Sequence, residues 1–205
     1  MKKLWRVAAC LCCVVLLPLL ITAQGQRKSD TVRVVIETEQ GKIEVELYPA
    51  KAPVTVANFL KYVDGGFYEG GQFHRTVKPD NQPNNNVKIE VIQGGINPEK
   101  NPEKKDKGFA AISLERTNQT GLKHVNGAIS MARSGPDTAT SDFFICLGDQ
   151  PELDYGGKRN PDGQGFAAFG KVTKGMEVVR KIQQSPAEAQ KLTPPVRILR
   201  LTRKR

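Results

Sequence analysis

The sequence has no phosphate loop, no paired Cys-x-x-Cys, no His-Glu-x-x-His and no nucleophile elbow. Histidine is scarce, with only His74 and His124, far apart along the chain. A lone histidine is more often packed or solvated than a ligand, so no metal and no cofactor is expected. Cysteine is also rarer than its count of four suggests, because Cys10, Cys12 and Cys13 lie in an N-terminal segment with the layout of a secretory signal. Lys2, Lys3 and Arg6 precede an apolar run from Val7 to Ile21, followed by Thr22-Ala23 and a polar stretch. That run of about fifteen residues falls short of the ~20 a spanning helix needs, and Pro18 interrupts it. Val7-Ala8-Ala9-Cys10 has the local look of a lipoprotein box, but almost no hydrophobic core precedes it. Cleavage after Ala23 is therefore expected, with an uncleaved anchor as the alternative.

After cleavage only Cys146 remains, so no intrachain disulfide is possible and the domain must be held by its own core. It sits within Phe143-Phe144-Ile145-Cys146-Leu147, where a buried, inert thiol is expected. The roughly 180 residues left form an ordinary single domain able to bury such a core. The organisation expected is signal 1–23, linker 24–30 and one domain over 31–205. Losing three cations lowers the net charge from +10 to +7, a moderately basic surface. No basic stripe is interleaved with aromatics, so no nucleic acid partner is expected. Arg200, Arg203, Lys204 and Arg205 fit a last strand with a frayed end.

Within the domain, Val32, Val34 and Ile36, then Ile43, Val45 and Leu47 beyond Gln40-Gly41, alternate as in two half-buried strands joined by a tight turn. Pro53 opens and Gly65-Gly66 closes a segment with Val56, Phe59, Leu60 and Val63 at helical spacing. Short β-favouring stretches follow at Phe73 to Val77, Val87 to Gln93, Ala128 to Ala132, Phe143 to Leu147 and Phe166 to Val172. A second short helix starts at Gly175-Met176-Glu177, and Val196 to Leu201 closes the domain as a strand. Many short strands with two helices predict a sandwich or a barrel, a choice periodicity leaves open. Lys78 to Asn86 and Asn97 to Lys107 read as long loops.

Three segments, Phe73-His74-Arg75, Val91-Ile92-Gln93-Gly94-Gly95, and Ser130 to Pro136 running on to Ser141-Asp142-Phe143-Phe144-Ile145, resemble the cyclophilins. The Pro53 to Phe59 helix before them and Phe166 to Val172 after them keep the family's order, so the likeness spans about residues 31 to 203. The resemblance implies a mainly β fold, a closed eight-stranded antiparallel β-barrel capped by two α-helices, with peptidyl-prolyl cis-trans isomerase activity in an outer groove. It also implies that Arg75 is the central catalytic residue and Gln93 its polar partner. Val91, Met131, Ala132, Arg133, Phe144, Leu153 and Phe166 then contact substrate, most of them walling an apolar pocket for the proline ring. His74 is assigned to packing or orientation. No nucleophile is needed to twist an amide.

Departures from the family pattern cluster at the groove. Glu90 stands where a pocket-wall phenylalanine is usual, which predicts a charge beside an apolar site that must stay solvated or pair, with Arg75 a candidate partner. Arg133 replaces a frequent asparagine, Asp142 a frequent glutamine, and Phe166 a frequent His or Tyr. Glu152 replaces a tryptophan common in eukaryotic members, which implies weak cyclosporin binding. Lys78 to Asn86 is an insertion able to reshape the rim. The expected function is isomerisation of X-Pro bonds in exported proteins, in the periplasm or secreted. The partners are Pro-containing segments; no stable membrane insertion after signal removal is expected, and nothing requires more than a monomer. Competing readings are a catalytically weak module that binds Pro-containing segments as chaperone or adaptor, and an envelope-associated structural protein.

Overall fold

A computed structural model of the chain describes residues 31–96 and 109–204. The expected signal, the linker and the loop from Asn97 to Lys107 lie outside the described residues. Strands β1 (Val32–Thr38) and β2 (Gly41–Leu47) form the expected hairpin, with Val34, Ile36, Ile43, Val45 and Leu47 facing inward. Gly41 takes φ +138, and a Cβ there would lie 2.7 Å from Val178 Cγ2, so both conformation and space call for glycine. Helix α1 (Pro53–Asp64) has proline in its first turn and buries Val56, Phe59, Leu60 and Val63. Its first amides have no side-chain cap of their own; instead Val54 N and Thr55 N donate to the Glu115 carboxylate at 3.1 and 2.8 Å.

The remaining elements are β3 (Gln72–Val77), β4 (Val91–Gly95), α2 (Thr117–Thr120), β5 (Ala128–Met131), β6 (Phe143–Cys146), β7 (Ala167–Lys174), α3 (Met176–Gln183), β8 (Ala187–Glu188) and β9 (Lys191–Arg203). Antiparallel pairing runs β1-β2-β7-β5-β6-β4-β3-β9 and returns from β9 to β1, which closes the expected eight-stranded barrel. The ninth strand, β8, is a two-residue flap paired only with the start of β9. Helix α1 packs on β7 and β9, and α3 packs on β2, β3 and β4. These are the two expected helices; the single turn of α2 is an addition.

Two boundaries differ from expectation by more than two residues, for visible reasons. β4 starts at Val91 rather than Val87, because the Gln82 side chain donates to Ile89 O at 2.8 Å and accepts from Ile89 N at 3.3 Å, diverting that backbone from a ladder. β9 extends well beyond Val196 to Leu201 because it pairs in succession with β8, β3 and β1.

Two hydrophobic clusters sit on opposite faces of the strands. The inner core contains Phe59, Phe73, Ile92, Ile129, Met131, Phe143, Ile145 and Phe169; an outer cluster contains Val77, Ile89, Val91, Ala128, Phe144, Cys146 and Leu153, with Ala132 and Phe166 packed against it. Strand alternation sorts neighbours between them: Phe143 and Ile145 point in, Phe144 and Cys146 out. Cys146 is fully buried as expected, and burial pushes its thiol well above its ordinary pKa.

Candidate active site

The outer cluster floors a cleft of about 490 Å³. Val91, Ile89, Phe144, Leu153, Ala132 and Phe166 give it an apolar wall, with the Phe144 and Phe166 rings edge to face at 5.3 Å. Polar lining comes from Arg75, Gln93, Asp142, Arg133, Ser134, Thr138, Thr140, Arg159 and Asn160. Of the positions expected to touch substrate, Arg75, Gln93, Val91, Ala132, Arg133, Phe144, Leu153 and Phe166 thus come together. Met131 does not. It is 1% exposed and belongs to the inner core, because on β5 it shares the inward face with Ile129 while Ser130 and Ala132 face outward.

Arg75 reaches the outer face through a break in the alternation. Phe73 on the same strand points inward, and the register of β3 against both β4 and β9 shifts between Phe73 and Arg75. This bulge at His74 re-aims the guanidinium into the cleft. There Nη1 donates to Gln93 Oε1 at 3.1 Å, while Nε and Nη2 both donate to Gln190 Oε1 at 2.9 and 2.6 Å. Gln190 sits in the tight turn between β8 and β9 and is fixed in turn, its Nε2 donating to Asn81 O at 3.0 Å. Asn81 Nδ2 donates to Thr76 O and Ala189 O, both at 3.0 Å, tying the 78–86 insertion to the turn. Among the described residues, no carboxylate lies within salt-bridge distance of Arg75. Burial lowers its pKa, and a guanidinium remains protonated all the same.

From Gln93 the network continues to Asp142, whose Oδ2 accepts from Gln93 Nε2 at 3.2 Å and lies 3.6 Å from His74 Nε2. Burial pushes the Asp142 carboxyl up against the opposing pull of His74 and the Gln93 bond. His74 therefore stands at the edge of this network. Arg133 is neutralised: its Nη1 and Nη2 donate to Asp162 at 2.7 and 2.9 Å, Nε donates to Gly165 O, and the guanidinium carbon lies 5.0 Å from the Phe166 ring centre.

Glu90 is corrected by the structure. It neither lines the cleft nor meets Arg75; Oε2 accepts from Gln183 Nε2 of α3 at 3.1 Å. Ile89 occupies the apolar wall in its place, two residues before Val91 and on the same face. The alternation Ile89, Val91, Gln93 was the sequence signal for this residue. No comparable signal marked Gln190, which the β8–β9 turn brings in from 115 residues away. Glu152 stays outside the cleft and accepts from Lys158 N at 2.7 Å.

Beneath the floor lies a buried chain of His124, Asp154 and Ser130. His124 Nδ1 is 2.8 Å from Asp154 Oδ1 and Nε2 is 3.0 Å from Ser130 Oγ, and the imidazole stacks parallel to Phe144 at 5.9 Å. An ionised carboxylate only accepts, so Nδ1 carries the proton and Nε2 of the neutral ring accepts from the serine hydroxyl. Burial pulls His124 down more than Asp154 raises it; burial raises Asp154, but its bonds from His124 bring it below its ordinary value. Neutral His124 thus contributes stability above the unfolded pKa of about 6.5, and that contribution is lost as pH falls through the lower folded value. We predict an Nδ1–H tautomer that titrates below pH ~6.5 in imidazole NMR; a midpoint at or above that value would refute the assignment.

Residues 33–203 match a family model described as cyclophilin type peptidyl-prolyl cis-trans isomerase/CLD. The chain is 38% identical over 161 residues to peptidyl-prolyl cis-trans isomerase A of Dickeya dadantii, covering 78% of this chain and 75% of that one. It is 42% identical over 175 residues to a peptidyl-prolyl cis-trans isomerase of Acinetobacter baylyi, covering 84% and 81%. A solved cyclophilin type peptidyl-prolyl cis-trans isomerase from Cryptosporidium parvum superposes with a TM-score of 0.66 at 25% identity, covering 85% of this chain and 98% of the other. The same protein solved in the presence of the dipeptide Ala-Pro gives a TM-score of 0.65.

Proposed function

Because the chain belongs to the cyclophilin-type peptidyl-prolyl cis-trans isomerases, we propose that Arg75 is the catalytic donor of an isomerase serving exported proteins. The carrying observation is a guanidinium fixed by two neutral carboxamides beside an apolar cleft. An X-Pro bond isomerises over tens to hundreds of seconds unaided, because twisting it forfeits amide resonance. At the twist the proline nitrogen becomes pyramidal and gains a lone pair. A donor already aimed at that nitrogen binds the twisted state better than the planar one, and that difference is the catalysis.

A carboxylate partner would spend part of the guanidinium's charge; Gln93 and Gln190 orient it without doing so. Ile89, Val91, Phe144, Leu153 and Phe166 offer the proline ring an apolar seat, and Ala132 and Arg133 border it. The Ala-Pro dipeptide used with the Cryptosporidium relative supports a Pro-containing segment as ligand here. With Glu90 bonded to α3, the carboxylate expected to spoil the apolar wall does not line it, which favours turnover over mere holding of Pro segments. The direct test is catalysed cis/trans exchange in an Ala-Pro peptide, strongly slowed by Arg75→Ala.

Export rests on the signal-like layout of residues 1–23. Among the described residues no helix is long and apolar enough to cross a membrane. The reading is a monomeric domain released into the periplasm or medium after cleavage near Ala23. Fractionation with intact-mass measurement should recover a chain beginning at or near Gln24; a full-length chain held in the membrane fraction would establish the anchor instead.

A further inference from the structure

Among the described residues three arginines face the cleft, and they differ in how their charge is met. Arg133 has Asp162 as a bidentate partner. Arg75 has only carboxamides. Arg159 resembles Arg75: its Nη1 donates to Gln82 Oε1 at 2.8 Å and to Val87 O at 2.7 Å, and no carboxylate among the described residues lies within salt-bridge distance of it. The 78–86 insertion holds both unneutralised guanidiniums, with Asn81 anchoring Gln190 under Arg75 and Gln82 gripping Arg159. Gln82 is 2% exposed and is itself fixed to Lys78 O and Ile89 O, so its position is set by the fold.

We propose that Arg159 forms an anion subsite beside Arg75, which selects Pro-containing segments bearing an Asp or Glu carboxylate on a residue flanking the proline. Two like charges in a partly desolvated cleft, with neutral acceptors only, leave a positive potential that an incoming carboxylate relieves. Burial lowers the Arg159 pKa, and the field of Arg75 adds to that in the same direction. Among the described residues the one carboxylate lining the cleft is Asp142, which is bonded to Gln93 and faces His74, so it leaves Arg159 free to meet a ligand. Arg159 also has the planar fork that suits a carboxylate, with Nη2 making no hydrogen bond among the described residues.

The inference rests on the isomerase reading, and the test separates the two. Exchange NMR gives the catalysed rate for a neutral Ala-Ala-Pro-Ala peptide and for versions with Glu or Lys immediately before or after the proline. The full mature protein is expected to favour Glu over Lys roughly tenfold on one of the two sides, since attraction in one peptide and repulsion in the other both contribute. That ratio should fall towards unity in Arg159→Gln and in the parent protein at high salt. Should Arg159→Gln fail to fold, Arg159→Met, which likewise removes the charge, takes its place with the same expected and overturning results. Equal rates for Glu and Lys on both sides, with the neutral peptide turned over, would overturn the subsite alone. Absence of catalysis on every peptide would overturn the isomerase reading beneath it. A Glu preference that Arg159→Gln leaves intact would assign the selectivity elsewhere and overturn the proposal.

Discussion

Replacing Arg75 with alanine should lower kcat/KM for an Ala-Pro peptide by about 10²- to 10³-fold, the usual cost of removing one preorganised donor to a transition state. The fold should survive, since the side chain is only partly buried and its partners are two carboxamides able to turn to water. Arg75→Lys should not rescue the rate. The guanidinium is held along two edges, Nε and Nη2 by Gln190 and Nη1 by Gln93, and an ammonium has neither the planar fork nor the reach to be fixed that way. Gln190→Ala should fall between parent and Arg75→Ala, on the order of tenfold, because it removes the orienting acceptor and leaves the donor. Exchange NMR on equal concentrations of folded protein measures all three. Wild-type rates in Arg75→Ala would remove the guanidinium from the mechanism, and a Gln190→Ala loss as large as that of Arg75→Ala would mean that Gln190 itself meets the substrate.

The barrel and most of the cleft were legible because their determinants are local. Alternation in β1 and β2, the Pro53 and Gly65 boundaries of α1, and the order of the motifs are all carried by neighbours in sequence. Closure into a ring came from the resemblance and was then found in the β1–β9 pairing, which no period within either strand specifies. The errors share one origin, the parity of side chains. Met131 was expected at the cleft and lies in the core, while Ile89 went unnamed and lines the wall; a strict count of alternation from Gln93 and Ala132 sorts both. Parity fails, however, for Arg75, where a one-residue bulge at His74 reverses it. Gln190 and Arg159 depend on loops folding onto the 78–86 insertion, and such long-range polar contacts leave no periodic trace in the sequence.

The other large effect falls on the opposite face of β6. Phe143→Ala should destabilise the domain by about 3–5 kcal/mol, lowering its melting temperature by on the order of 10 °C. Phe143 is fully buried and meets Phe59 of α1 at 5.7 Å, Tyr68 at 5.6 Å and Phe73 of β3 at 5.7 Å, each edge to face. One ring therefore couples the helix, the segment after it and the strand that carries Arg75. Truncation loses the burial and all three aromatic contacts, and a closed barrel has little freedom to collapse on the void. Well below its melting temperature the variant should still turn over peptide, because the neighbouring Phe144 keeps its place in the outer cluster. Denaturant unfolding checks the first claim and low-temperature exchange the second. A loss under about 1 kcal/mol would mean that the inner core can close around the missing ring. A stability loss accompanied by abolished activity in the folded protein would mean that the two faces of β6 are coupled, with the bulge at His74 the first place to look, since Phe73 packs on the ring that was removed.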